Sequence, residues 1–469
     1  MDETAPRFVA PAITDRVGDL DLILSQPEMQ SFWQSWMGPV VRDDGPNYAA
    51  AKAAMTMISL GSVGPYLRTA LGSLQTRPDF QGVFDRAERR VFAKQFKLAP
   101  YSTVSRVAGK LGSCHAIAIE ANIALLKALR EEHPEAGIGK YLVIDGKAVP
   151  AWVPQRGSRG NADIEKRLRS RVPEAGFRAY VNTGTSKQAL GSSDAVTVSQ
   201  LSSTDAWRGY YLVALVDLAT GLPVVWLLQD AAINETSAIV PLLSDLHRLW
   251  PDIGVEYLAG DSAWDSDEWC RLCEVDYGIH PVFRLHDEKR KGKLVPAVNA
   301  RSKAFGFAGN GQVVCGPHRE NLPFNTFEPA PRAGLRPGQS SKEADFRVRG
   351  ICNHGPNPCQ RVSVHCSHDW SSLTALPHYR QGNPKGYALR QALLTRLNAV
   401  ESLFNRLEAG RLLGSDSGDR TRILSTETHE SLISLALLGM TALTVTGQRM
   451  TSAPAAATSN APWSSPLAA

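Results

Sequence analysis

Apolar positions recur at intervals of three and four along the first part of the chain. The pattern is clearest in DLDLILSQPEMQSFWQSWM, YAAAKAAMTMISLG, FDRAERRVFAKQF and SCHAIAIEANIALLKALREEH. That period belongs to amphipathic helices, so residues 1–135 are expected to form an all-α N-terminal domain. Near residue 140 the pattern changes. YLVIDGKAV is a short β-rich run, and after a polar, Arg- and Gly-rich interruption YYLVALVDLATGLPVVWLLQDA reads as two strands joined around Ala219-Thr220-Gly221. Then come a helical stretch (ETSAIVPLLSDLHRLW), a strand (VEYLAGD), a capped helix (DSDEWCRLCEVDYG) and a further strand (HPVFRL). The order β, β-hairpin, α, β, α, β predicts an α/β fold, a mixed five-stranded sheet flanked by helices, over residues 136–288.

Between HPVFRL and the next strong helical pattern lie roughly 100 residues, too many for a loop inside a compact domain, so residues 289–386 are expected to be a small β-rich insertion domain. The helix predicted over residues 387–414 carries Leu393, Leu397, Val400, Phe404 and Leu407 on its apolar side, while Asn398, Glu401, Asn405 and Glu408 share a polar stripe. The apolar run near residues 431–446 is short for a membrane span and reads as a buried helix. Both helices are assigned to the sheet domain, as residues 387–450, and the low-complexity tail, residues 451–469, is expected to be disordered.

Composition narrows the partners. The chain has 469 residues, 43% of them hydrophobic, and a formal net charge of +5, which permits a polyanionic partner without requiring one. Arg156, Arg159, Lys166, Arg167, Arg169 and Arg171 crowd one stretch; Arg284, Lys289, Arg290, Lys291 and Lys293 crowd another. Each cluster suits phosphate neutralisation, and each also suits a solvated face. LAPYSTVSRVAGKLGS has the elements of a helix-turn-helix, with Ser102 or Thr103 as cap and Ser105, Arg106 and Lys110 facing outward; an ordinary capped helix explains the same residues. The start MDETAPRFVAPAITD lacks the cationic and apolar regions of a secretory signal, and seven cysteines without a scaffold spacing suggest reduced thiols or metal ligands. A cytoplasmic protein without a membrane partner is expected.

Two apolar runs end on acids that no core would choose: LVID stops at Asp145 and YLAGD at Asp261. If these strands are parallel neighbours, both carboxylates lie near the strand ends where open α/β sheets place ligands. Like charges that close need a shared proton or a cation, which points to a hard divalent metal such as Mg²⁺ or Mn²⁺. The alternative is that each aspartate caps a turn, Asp145-Gly146 and Asp261-Ser262. A third acid, Glu401, can face the same place from its helix. Asp217 is assigned to the start of the hairpin turn, Trp207 and Trp264 to core packing in preference to base stacking, and Cys270 and Cys273 to a buried helix face.

The ordered set LVIDGKAV, WRGYYLVALVDLATGLPVVWLLQDAAINETSAIVPLL, YLAGDSAWDS and NAVESLFNRLEAGRLLG resembles the catalytic domain of bacterial insertion-sequence transposases of the DDE type. The resemblance implies an RNase H-like sheet. By this resemblance Asp145, Asp261 and Glu401 match the family's three metal-binding carboxylates, and it implies two Mg²⁺ ions (Mn²⁺ substituting), with the bridging role given to Asp145, and DNA strand cleavage and transfer as the expected reaction. It further implies double-stranded DNA partners, namely terminal inverted repeats and target DNA, together with a homodimer and a nucleoid-associated location in a bacterium. The tyrosine, arginine and lysine that accompany the glutamate in some relatives are Leu394, Leu397 and Glu408 here. Arg396, Arg406 or Arg411 then becomes the candidate phosphate contact, and Glu408 competes with Glu401. In the insertion, Cys315, Cys352, Cys359 and Cys366, with His318, His354 and His368 nearby, offer a four-cysteine zinc site, a mixed site, or plain reduced thiols. Relatives with cysteines in a comparable insertion favour zinc. Two other readings remain, a catalytically silent DNA-binding descendant and a stand-alone RNase H-like nuclease.

Overall fold

The computed structural model describes residues 23–24, 26–39, 111–150, 176–182, 187–190, 206–284, short strands between 295 and 366, 393–409 and 426–452. In chain order these form helices α1 (Pro27–Met37) and α2 (His115–Glu132), then strands β1 (Tyr141–Pro150), β2 (Gly176–Asn182), β3 (Lys187–Leu190), β4 (Ala206–Asp217) and β5 (Pro223–Asp230). Next come a 3₁₀ turn (Glu235–Ala238) leading into α3 (Ile239–Leu249), β6 (Tyr257–Gly260), a second 3₁₀ turn (Ser262–Trp264), α4 (Asp267–Arg271) continued by a π turn (Leu272–Asp276), and β7 (His280–Phe283). Strands β8 to β14 come after these: Val295–Pro296, Phe305–Phe307, Val313–Cys315, Glu320–Asn321, Phe324–Pro329, Phe346–Gly350 and Val362–Cys366. The last elements are α5 (Asn398–Ala409) and α6 (Thr426–Ser452).

Two compact units divide the chain: residues 135–405, with 1–7, and residues 8–134 joined to 406–469. In the first unit β1 is central. It pairs antiparallel with β4 from Leu142↔Asp217 to Pro150↔Gly209, and parallel with β6 from Tyr141↔Tyr257 to Ile144↔Gly260. β4 also pairs antiparallel with β5, and β6 pairs parallel with β7. These are the five strands expected from the sequence, in the order β5-β4-β1-β6-β7. The sheet is nonetheless larger than expected: β2 pairs with the first residues of β4, and β3 pairs with β2, giving seven strands. Both additions fall in the stretch whose polar, Arg- and Gly-rich composition reads as an interruption.

The inner strands are covered on both faces, so their sequences are nearly continuous apolar runs with no alternation. Leu142, Val143, Ile144 and all of Tyr210–Val216 are buried, as are Ile239, Leu242, Leu243 and Leu246 on the face of α3 turned to β5. The β4–β5 hairpin turns where anticipated. The Asp217 carboxylate accepts from the backbone N–H of Gly139 and of Thr220 and from the Thr220 hydroxyl, each at 2.8 Å, and Gly221 takes the positive φ of 68° that the turn needs. Asp217 is therefore a fully buried turn residue, held away from solvent by its own donors.

In the other unit α2 packs against α1 and α6. Phe32, Trp33 and Trp36 form an aromatic cluster on α1, and Trp36 Nε1 donates to the Gly112 carbonyl at 3.0 Å. α6 is apolar enough to cross a membrane by length and composition, with a mean hydropathy of 1.4, but 89% of its apolar window is buried within the protein. Its buried threonines remain satisfied by donating one turn back: Thr441 to Leu437 O, Thr444 to Met440 O and Thr446 to Ala442 O. The sequence grouping of α6 with the sheet differs from this arrangement, in which it belongs with the N-terminal helices. The helix-turn-helix candidate over residues 98–113 falls almost entirely outside the described residues.

Strands β8–β11 form one antiparallel sheet and β12–β14 another, so the stretch expected to be β-rich carries strands. The helix expected over residues 387–414 is described as a turn of helix at 393–395, a break at 396–397, and α5.

Candidate active site at the end of the parallel strands

β6 stops at Gly260, opposite Ile144, and the next residues in register are Asp261 and Asp145. Asp261 keeps an extended backbone, so the two aspartates leave the ladder as neighbours on adjacent parallel strands, whose backbones run roughly 5 Å apart. The junction is tightly filled. A Cβ on Gly260 would meet Phe283 Cδ1 and Trp264 Cδ1 at 3.0 Å and Ile144 Cγ2 at 3.1 Å, so glycine lets Trp264 and Phe283 close over the strand end. Trp264 is buried, in keeping with core packing; the Trp207 side chain lies outside the described residues.

The turn alternatives divide. Asp261 does cap the 3₁₀ turn beginning at Ser262: its Oδ1 accepts from the Ala263 N–H at 2.8 Å. Asp145-Gly146 is not a turn, because β1 runs straight through both residues on β4, with Asp145↔Ala214 and Gly146↔Val213. Asp145 thus sits in mid-strand, where its parallel neighbour ends, and its Oδ1 accepts from the Gly146 N–H at 2.7 Å. Each aspartate commits one oxygen to its own backbone.

The carboxyl of Asp145 is pushed up from its ordinary range to about 7. Burial is the main cause and the charge of Asp261 the next; the Gly146 N–H opposes them, and Glu235 and Glu401 add smaller repulsions. Charges from three other segments therefore weigh on the Asp145 carboxyl. Glu401 is exposed on α5, whose buried face is Val400, Leu403, Phe404 and Leu407. The Glu408 side chain lies outside the described residues. Among the described residues no group of three or more His, Cys, Asp or Glu side chains stands close enough together to hold a metal ion.

Glu235 is the acid that sequence reasoning missed. It opens the 3₁₀ turn after β5, and its Oε2 and Cβ lie 3.3 and 3.8 Å from where a Gly146 Cβ would be. Nothing local in the sequence marks it: Asn234-Glu235 reads as an ordinary capped helix start after the edge strand β5.

The expected DNA-contact residues Arg156, Arg159, Lys166, Arg167, Lys289, Arg290, Lys291 and Arg411 lie outside the described residues. Arg396 sits in the break before α5, and Arg406 lies on α5, where burial lowers the affinity of its guanidinium for its proton. Of the candidate zinc ligands, Cys315 ends β10 and Cys366 ends β14, in different small sheets, and Cys352 and Cys359 lie outside the described residues. Cys270 and Cys273 are buried on α4 and its π extension; burial pushes the Cys273 thiol up to about 12.

Residues 187–337 match the family described as the transposase DDE domain. The matched stretch is about a third of the chain and is similar to that family there. The match begins at β3 and ends beyond β12, so it contains Glu235 and Asp261, while Asp145 and Glu401 flank it. No curated protein matches the chain. Among solved structures, a piggyBac transposase synaptic complex with hairpin DNA is 12% identical and aligns over 93% of this chain and 75% of its own, at a TM-score of 0.36. So loose a superposition carries no argument about this domain.

Proposed function

We propose that the protein is a metal-dependent DNA transposase that cuts DNA at the ends of its element and joins the freed ends to target DNA. The observation that carries this reading is the register of β1 and β6, which makes Asp145 and Asp261 neighbours where the parallel ladder ends.

The donor set suits a hard divalent cation. It is all carboxylate, and each aspartate keeps one oxygen uncommitted by its bond to its own backbone. Asp145, Asp261 and Glu401 are the residues that would hold Mg²⁺ or Mn²⁺. A bound ion supplies nucleophile activation and charge neutralisation at the phosphate. The chain's own contribution is placement. The short Asp145 and Asp261 bonds to their own backbones fix two acids at the sheet, and the buried face of α5 fixes the third. In the first reaction water bonds to phosphorus and the departing oxygen leaves as a 3′-hydroxyl. In the second that hydroxyl bonds to a target phosphorus as a target P–O bond breaks. The basic stretches around residues 156–171 and 284–293, with Arg396, Arg406 or Arg411, are assigned to phosphate contacts, and a homodimer would hold two element ends together. The four insertion cysteines are kept as a candidate zinc site.

One observation favours a second reading, a silent DNA-binding descendant: no three acids among the described residues stand at ligand distance. A cleavage assay separates the two. Full-length protein, labelled duplex carrying the element's terminal sequences, and Mg²⁺ or Mn²⁺ should give a nicked strand and, with a plasmid target, a strand-transfer product. Asp261→Asn and Glu401→Gln should bind the duplex normally and cut at least about 100-fold more slowly. Binding without cutting in either metal supports the silent reading, and cutting without transfer supports a stand-alone nuclease.

A further inference from the structure

β4 is 12 residues long, and only Gly209–Asp217 pairs with β1. Its first residues carry β2 instead, through Gly176↔Gly209, Phe177↔Arg208, Arg178↔Trp207 and Ala179↔Ala206. β2 in turn carries β3, through Ala179↔Leu190, Tyr180↔Ala189, Val181↔Gln188 and Asn182↔Lys187. Residues opposite one another in an antiparallel pair share a face, and successive residues along a strand alternate between faces. The register therefore sorts this three-stranded extension into two faces. Phe177, Ala179, Val181 and Leu190 fall on one, with Gln188 and Arg208; Arg178, Tyr180, Asn182, Lys187, Ala189 and Trp207 fall on the other. The first is the side of the sheet on which Asp145 falls, because Asp145 stands opposite Ala214 and β4 alternates evenly from Ala214 to Arg208.

The second face, on the reverse side, differs in chemistry. It has two cations, two aromatic residues and no acid among its paired residues. Rings interleaved with cations make a surface for single-stranded nucleic acid, in which rings stack on bases of any sequence and cations meet the phosphates. The spacing also favours an unpaired strand. Trp207 and Tyr180 are diagonal neighbours, as are Tyr180 and Lys187, which sets their backbones roughly 7–8 Å apart. Bases in a duplex rise by about 3.4 Å per step and stack on one another, so positions twice as far apart suit bases that have been separated.

We propose that this face of the β4–β2–β3 extension binds an unpaired DNA strand, with Trp207 and Tyr180 stacking on its bases and Arg178 and Lys187 meeting its phosphates. The surface lies on the opposite side of the sheet from Asp145, so it holds DNA apart from the phosphate that is cut. The inference rests on the DNA-binding part of the reading above and needs no cleavage.

The test is fluorescence anisotropy of the full-length protein with a labelled oligothymidine and with a blunt duplex, both in the absence of metal. Trp207→Ala and Tyr180→Ala should each weaken oligothymidine binding about 10-fold and leave duplex binding within about 2-fold of wild type. Arg178→Gln should lower the slope of log affinity against log salt by about 0.7 for the single strand. Oligothymidine affinity that survives either aromatic substitution, an equal loss on the duplex, or an unchanged slope for Arg178→Gln overturns the assignment. If the alanine variants do not fold, photocrosslinking of an iodouridine-bearing oligonucleotide to the wild type decides: adducts on Trp207 or Tyr180 support the surface, and adducts confined to other segments overturn it. Wild-type protein that binds neither DNA overturns the DNA-binding reading and this inference with it, whereas wild type that binds the duplex but not oligothymidine overturns this inference alone.

Discussion

Replacing Asp145 by asparagine should stabilise the metal-free protein while destroying its activity. The Asp145 carboxyl is raised from 3.8 to about 7, so the folded state holds its proton more tightly than the unfolded chain does. Below about pH 4 both states are largely protonated and the residue costs little; stability falls as pH rises from there through about 7, above which the full penalty remains. A rise of about three units at 1.36 kcal/mol each sets a ceiling of roughly 4 kcal/mol. Asparagine keeps an oxygen for the Gly146 N–H and removes the charge facing Asp261, Glu235 and Glu401. Thermal or denaturant unfolding at pH 8 should therefore show the variant more stable by about 2–4 kcal/mol, and at pH 4 by less than about 1 kcal/mol. Mg²⁺ should stabilise the wild type and have much less effect on the variant. A variant that is less stable at pH 8, or shifted equally at both pH values, would refute the argument that these acids repel one another in one place.

The packing sets three further outcomes. Gly260→Ala must push Phe283, Trp264 or Ile144 aside and should cost about 1–3 kcal/mol in unfolding experiments, with a larger loss of cleavage because Asp261 is the next residue. Asp217→Ala strands the buried Gly139 and Thr220 donors and should cost about 2–5 kcal/mol, and its lower melting temperature should be insensitive to Mg²⁺. The Cys114 and Cys273 thiols, both pushed up to about 12 by burial, should react with a thiol reagent only after unfolding, as mass spectrometry of labelled native protein would reveal.

Much of the sheet was legible because its central strands are buried on both faces, which leaves unmistakable apolar runs in LVI and YYLVALV. The capped helix at DSDEW was legible for a local reason, since Ser266 accepts from the Trp269 N–H as a serine cap should. Asp217 was placed correctly by its turn chemistry. What escaped depends on long-range pairing. β2 and β3 are short runs inside a polar, Arg- and Gly-rich segment, and they pair with β4 and with each other. α6 looks the same in sequence whichever helices bury it. Asp145-Gly146 resembles a turn dipeptide, and only its register against Ala214 and Val213 shows an unbroken strand. Glu235 was invisible for the same reason: its significance lies in a glycine some ninety residues earlier in the chain.

The central claim is that acids from three distant segments hold divalent cations together, and anomalous diffraction from Mn²⁺-soaked crystals of the full chain tests it most directly. Manganese peaks bounded by carboxylate oxygens of Asp145, Asp261 and Glu401 are the predicted result. Manganese bound elsewhere, or Glu401 remaining outside the coordination shell at saturating Mn²⁺, would contradict it.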